Sequence, residues 1–171
     1  MDRLYSPWRH AYVTSASTPV SGCIFCEALA GSADDPLIVA RGTHAFVILN
    51  LYPYNSGHLM VVPVRHVGRL SDLSREEIVE VAELTQRAER ALTEVYAPHG
   101  LNLGVNLGKA AGAGVADHLH LHLVPRWAGD TNFMSVVGSV RVLPEEVPVS
   151  AERLRPVFAR LAAEAGGSEK V

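Results

Sequence analysis

The stretch "DHLHLHLVPRW", Asp117 to Trp127, places histidines at 118, 120 and 122 with a leucine after each. Strict alternation is the period of a β-strand, whose successive side chains point to opposite faces. The pattern predicts a strand from His118 to Pro125, with His118, His120 and His122 on one face and Leu119, Leu121 and Leu123 directed into the core. At a rise of roughly 3.3 Å per residue, the outer two imidazoles stand about 13 Å apart, too far to share one metal ion. The face is therefore expected to open onto a site and to serve at least two tasks. A merely solvated strand face, or an incidental H-x-H metal pair, does not account for three alternations followed by "VPRW". Neutral imidazole is nucleophilic toward phosphorus at pH 7 without a second base, and it leaves readily from the phosphoramidate it forms. A central histidine flanked by another offers that arrangement.

Working outward, the Gly/Ala-rich "GKAAGAG" leads directly onto the histidine strand. Gly112, Gly114 and the intervening backbone suit a concave row of N–H donors for phosphate oxygens, the plainer reading being a flexible connection between strands. Upstream, Leu101 to Leu107, His58 to Val64, Ala45 to Asn50 and Leu37 to Arg41 read as further strands, with the turn-rich "YPYNSG" between the second and third in chain order. Between them the period changes. Ser74 with Glu77 three residues on forms a capping box, and Ile78, Val81, Leu84, Ala88, Ala91, Leu92 and Val95 recur at helical spacing. One helix is expected from about Arg75 to Tyr96, ended by "APHG". A short helix suits Ile24 to Ala30. An amphipathic helix near Ala151 to Ala165 closes the chain, its start obscured by Pro156. The fold class is α+β, an antiparallel sheet with a long helix and a C-terminal helix packed on it.

With 171 residues, 48% hydrophobic and 19% charged, the chain is expected to form a single domain: residues 1–20 an N-terminal extension, 23–127 the core, 128–171 a C-terminal segment. A net charge of -3 and a pI near 6.2 supply no basic field for a nucleic-acid polymer, though a small nucleotide needs only a local pocket. No apolar h-region opens the chain and no run of 18 apolar residues occurs, so no membrane partner is expected and the cytoplasm is the default location. Both cysteines lie in "GCIFC". In a reducing compartment that spacing indicates metal or redox chemistry rather than a structural disulfide.

The segment "HLHLHLV" resembles the histidine-φ-histidine-φ-histidine-φ-φ signature of the histidine triad (HIT) superfamily of nucleotidyl hydrolases and transferases. The likeness runs from about "YSPWRHAYV" through "GDTNFMSVVGSVRVLP". Within the superfamily, "VILNLYPYNSGHLMVVPVRHV", "GVNLG" and "HLVPRWAGDTNF" are most similar to bacterial diadenosine tetraphosphate phosphorylases. The resemblance implies that His120 attacks the α-phosphorus of a dinucleoside polyphosphate or related adenosine phosphoester and becomes nucleotidylated, with water or phosphate then releasing the nucleotide. It implies that His122 hydrogen-bonds the reacting phosphate or leaving group, and that Asn106 helps hold the phosphate. Asn50 stands where the family binds ribose hydroxyls, or else it caps the strand before the turn. His58 either approaches the site or is a satisfied core histidine, and Trp127 either lines the site edge or simply packs.

The resemblance extends to the cysteines: many bacterial family members that carry "CIFC" bind zinc with that pair, a histidine after the "VVP" strand and the first triad histidine. The corresponding set here is Cys23, Cys26, His66 and His118, which implies a closed, structural zinc site. A redox pair or two buried thiols are the other readings of the cysteines. The resemblance also implies a homodimer paired across the long helix and neighbouring strand. One departure bears on chemistry: where relatives carry Gly-Gln-Ser, Gly-Gln-Thr or Gly-Gly-Ser before the triad, this chain has "GAGVADH". With the hydroxyl missing, two readings stand: an enzyme of nucleotidyl transfer, and a nucleotide-binding sensor or interaction protein with little turnover.

Overall fold

A computed structural model of the chain describes residues 22–31, 36–130 and 145–167. The N-terminal extension, most of the "GSADD" turn and the stretch 131–144 lie outside the described residues. Along the chain come α1 (Ile24–Ala30), β1 (Ile38–Arg41), β2 (Ala45–Leu49), β3 (Leu59–Pro63), α2 (Arg75–Tyr96), β4 (Gly100–Val105), β5 (Leu121–Arg126) and α3 (Val147–Gly167). The five strands pair antiparallel in the order β1-β2-β3-β5-β4, so the histidine strand is interior, between β3 and β4.

Alternation along the strands gives the sheet two apolar faces. Val47, Leu49, Leu59, Val61 and Leu123 pack against Val81, Leu84, Ala88, Ala91 and Leu92 of α2, and against Ala151, Leu154, Phe158 and Leu161 of α3. Those helical residues recur at three- and four-residue spacing, which is what lays each helix along the sheet. Each large side chain buried there contributes about 1.5–3 kcal/mol. The opposite face carries Phe46, Ile48, Met60 and Val62 under Phe25 of α1.

Three expectations need correction. Ile78 is 46% exposed, as is Val79; the apolar stripe of α2 starts at Val81, because the first turn projects past the edge of the core. The closing helix begins at Val147, four residues earlier than its periodicity suggests, and passes through Pro156. Pro156 is exposed, so water can satisfy the carbonyl that the missing N–H leaves unpaired. The histidine strand joins the ladder only at Leu121. β3 ends in Pro63, which has no N–H to continue the ladder. The bonds there are replaced by Leu119 N–H donating to Val67 O (2.6 Å) and His118 Nε2 donating to Pro63 O (2.8 Å). Side-chain alternation nevertheless persists: Leu119 packs with Val67 and Leu73, while His118 and His120 meet the Phe25 ring.

The start of α2 is tied to the sheet by Glu77. Its carboxylate accepts from Ser74 N–H (2.7 Å), Arg65 Nε (2.8 Å) and Arg65 NH2 (2.8 Å), while Glu77 N–H donates to Ser74 Oγ (3.3 Å). The Arg65 guanidinium, then the Ser74 N–H, lower the Glu77 carboxyl from 4.5 to about 2. A carboxyl depressed on folding stabilises above its unfolded value and loses that contribution as pH falls through the folded one. Glu77→Gln is therefore expected to cost about 1–2 kcal/mol at neutral pH, with Arg65 half in solvent. In thermal melts the gap between wild type and variant should close as the pH is lowered from about 4.5 toward 2; a gap independent of pH would refute the assignment.

Candidate active site and metal centre

His120 is 5% exposed, roofed by Phe25 at 5.1 Å between ring centroids, and its Nδ1 lies 2.8 Å from the carbonyl oxygen of His118. A carbonyl only accepts, so Nδ1 carries the proton and Nε2 keeps its lone pair. Burial holds the imidazole below its ordinary titration range, only partly offset by that backbone bond, so the ring is neutral at pH 7. It is the form needed for attack on phosphorus.

The second histidine is oriented by a residue whose role the sequence left open. His58 is fully buried, and Tyr54 N–H donates to its Nδ1 (3.1 Å). Its proton therefore sits on Nε2, which donates to His122 Nδ1 at 2.9 Å. His122 must then carry its own proton on Nε2. Burial, then repulsion from His120, lowers His122 to about 4, so it is a neutral donor at pH 7. The rings of His120 and His122 meet edge-on at 4.8 Å. One neutral imidazole lone pair and one neutral imidazole N–H thus stand side by side.

The other expected site residues are distributed around this pair. β4 and β5 pair Gly104 with His122 and Val105 with Leu121, which brings Asn106 to the level of His120. The half-buried Asn106 side chain has no hydrogen-bond partner among the described residues. Asn50 Oδ1 accepts from Tyr52 N–H (3.0 Å) and its Nδ2 donates to His58 Nδ1 (3.4 Å), so Asn50 caps the strand before the turn and keeps one N–H and one lone pair unused. Gly112, at φ 94, ends the 3-10 turn Lys109–Ala111, and its N–H donates to Lys109 O (3.0 Å). That donor is used within the loop, whereas Gly114 N–H has no partner among the described residues. Trp127 packs edge-on against Tyr96 at 6.5 Å.

His118 meets a different set of partners, Cys23, Cys26 and His66. The ligand atoms of Cys23, Cys26, His66 and His118 all lie within 4.8 Å of one another. Cys23 and Cys26, at the N-terminus and in the first turn of α1, present both Sγ atoms on one side because residues three apart share a helix face. Cys23 Sγ is 3.1 Å from His118 Nδ1, Cys26 Sγ is 3.6 Å from the same atom, and Cys26 Sγ is 3.3 Å from His66 Nδ1. Ligands at roughly 2.0–2.3 Å from a tetrahedral zinc stand about 3.3–3.8 Å apart. The donor set fits such an ion in number, type and spacing. His118 also shows the usual outer support, since Nε2–H donates to Pro63 O and turns the Nδ1 lone pair toward the thiols.

Sequence reasoning did not identify Phe25 or Tyr54 as parts of this site. Phe25 lies inside "CIFC", and its ring meets both His118 (5.4 Å) and His120 (5.1 Å), joining the Cys/His group to the histidine pair. Tyr54 acts through its backbone N–H and through its ring, which stacks on His58 at 4.9 Å, and its place in a turn-rich loop gives no sign of either contact.

A model of the HIT domain matches residues 33–129. The chain belongs to the HIT family. Within that family it is 42% identical over 167 residues to the AP-4-A phosphorylase of Mycobacterium tuberculosis, spanning 94% of this chain and 86% of that one. Among solved structures, a zinc-bound histidine triad family protein of Mycobacterium smegmatis superposes with a TM-score of 0.66 at 32% identity, over 84% of this chain and 97% of the other. A histidine triad nucleotide-binding protein of Sulfolobus tokodaii gives 0.69 at 24% identity, over 87% and 100%, and supports the HIT fold alone. The antiparallel five-stranded sheet with its packed helices is the arrangement these neighbours share.

Proposed function

We propose that this HIT protein transfers a nucleotidyl group from a dinucleoside polyphosphate or related adenosine phosphoester through a covalent intermediate on His120. The observation that carries the reading is the pairing of opposite roles: His120 Nε2 bare, because Nδ1–H is held by His118 O, and His122 Nε2 protonated, because Nδ1 is held by His58. In the first step a P–N bond forms between His120 Nε2 and the α-phosphorus while the P–O bond to the bridging oxygen breaks. The electron pair leaves with the departing nucleoside phosphate, whose oxygen accepts a hydrogen bond from His122. In the second step an acceptor oxygen attacks the same phosphorus and the P–N pair returns to His120. Asn106 and the Gly114 N–H hold phosphate oxygens, with Gly112 shaping the loop, and Asn50 offers its remaining donor and lone pair to the ribose.

Inorganic phosphate is the acceptor favoured by the likeness to the M. tuberculosis AP-4-A phosphorylase. Zinc, when bound by Cys23, Cys26, His66 and His118, supplies structural cross-linking only, since four protein ligands leave it no open position. A reducing, cytoplasmic setting suits that thiolate pair; no helix among the described residues is long and apolar enough to cross a membrane. A homodimer belongs to the same reading. β4 is a sheet edge, Leu103 on it is 50% exposed, and Leu70 and Leu107 line an adjoining cleft of about 640 Å³.

The test is product analysis with diadenosine tetraphosphate. ADP plus ATP, formed only when phosphate is present, is the expected result; AMP plus ATP without phosphate would instead mark hydrolysis. Tight nucleotide binding with no turnover under either condition would overturn the enzyme reading in favour of a sensor, which the missing hydroxyl in "GAGVADH" favours.

A further inference from the structure

The loop between β2 and β3 is tied to the far end of β5 through Asn55. Asn55 Nδ2 donates to Pro125 O (2.8 Å) at the end of β5 and to Asp130 Oδ2 (2.9 Å), while Asn55 O accepts from His58 N–H (3.1 Å). Asp130 is itself fixed by Arg126 through Nε (2.5 Å) and NH2 (2.8 Å) and by Trp127 N–H (3.3 Å), and Arg126 NH1 reaches Asn102 Oδ1 (2.8 Å) on β4. The Arg126 guanidinium holds the Asp130 carboxyl well below the usual carboxylate range. The chain leaving the histidine strand therefore grips the loop that carries Tyr54 and ends in His58.

We propose that Asn55 and Asp130 are positioning residues for the transfer described above, acting through Tyr54 and His58 to keep the His122 proton on Nε2. The proposal rests on that functional reading but concerns a property of the free protein. Two donors converge on His58 Nδ1 and oblige it to accept: Tyr54 N–H at 3.1 Å and Asn50 Nδ2 at 3.4 Å, the Asn50 amide being turned by Tyr52 N–H on the same loop. Asn55 is the next residue, and both hydrogens of its amide are committed, one to Pro125 O in β5 and one to Asp130 just after it. If the loop slips, Tyr54 N–H and the Tyr52 N–H that fixes the Asn50 amide are both withdrawn, so Asn50 can turn its Oδ1 toward His58 and the proton moves to Nδ1. Its Nε2 then becomes an acceptor, His122 must supply the hydrogen from Nδ1, and His122 Nε2 presents a lone pair to the phosphate instead of a donor. A shift of this loop thus inverts the polarity of a group two imidazoles away.

The test reads imidazole nitrogens by ¹⁵N NMR in the full-length protein without substrate, alongside steady-state kinetics. Wild type is expected to show His122 protonated at Nε2. In Asn55→Ala the His58 and His122 signals should move toward the other tautomer, with kcat down about 10- to 100-fold and KM within about threefold. Asp130→Ala, which frees Asn55 at one hydrogen only, should move the same signals less. Asn55→Ser gives the same readout should the alanine variant fail to fold. Unchanged tautomers in Asn55→Ala, even with reduced kcat, would show a merely structural role and overturn the clamp. Absence of any nucleotidyl-histidine in the wild type would instead overturn the proposed chemistry.

Discussion

Replacing His120 by alanine is expected to abolish turnover, by ~10⁴-fold or more, and to eliminate any nucleotidyl-histidine trapped by rapid quench and mass spectrometry. The size follows from the role. Held by His118 O at Nδ1, His120 is the one imidazole of the pair with a lone pair directed at the site, and its removal takes away the bond-forming atom. The fold should survive, because the ring packs on Phe25 and makes no bond on which another element depends. His122→Ala should behave differently. It deletes a donor rather than the nucleophile, so the rate should fall about 10²- to 10³-fold while the intermediate still forms on His120. Near-normal single-turnover chemistry in His120→Ala would refute the assignment outright.

Much of this was legible in the chain because it is local. The alternation from His118 to Leu123 dictates which side chains share a face, and the structure keeps that division even where the ladder has not begun. The limits of α2 were legible to the residue, since Ser74 and Glu77 satisfy each other's backbone donors within a single turn. What sequence reasoning missed depends on partners distant in the chain. His58 is the same residue whether it sits in a core or beside a nucleophile; Tyr54 N–H and the Asn50 amide on one side and His122 on the other decide its tautomer. Asn55 and Asp130 stand 75 residues apart. Ile78 fits the helical period but falls beyond the edge of the sheet it was expected to cover.

The metal cluster is legible only in part, for a related reason. "CIFC" fixes two ligands on one turn of helix, while His66 and His118 are recruited by the sheet, and spacing alone would not choose them from eight histidines. Their convergence has an energetic consequence. α1 is seven residues long, far below the length at which a helix is stable alone, so it depends on Phe25 and would gain a further tie from a metal held by Cys23 and Cys26. We expect Cys23→Ser or Cys26→Ser to release zinc and cost about 3 kcal/mol, a Tm decrease of about 6–12 °C. The loss should reach the active site without the metal touching substrate. His118 would hold the ion through Nδ1, it is bonded to Pro63 through Nε2, and its carbonyl oxygen sets the tautomer of His120, so a loosened His118 leaves the nucleophile less well aimed. Activity should accordingly fall with thermal stability as metal is withdrawn, and both should return on adding zinc. Elemental analysis of protein purified without chelator gives the direct check, with about one zinc per chain expected for a closed four-ligand site; a small fraction of that, with both thiols freely titratable, would reject it.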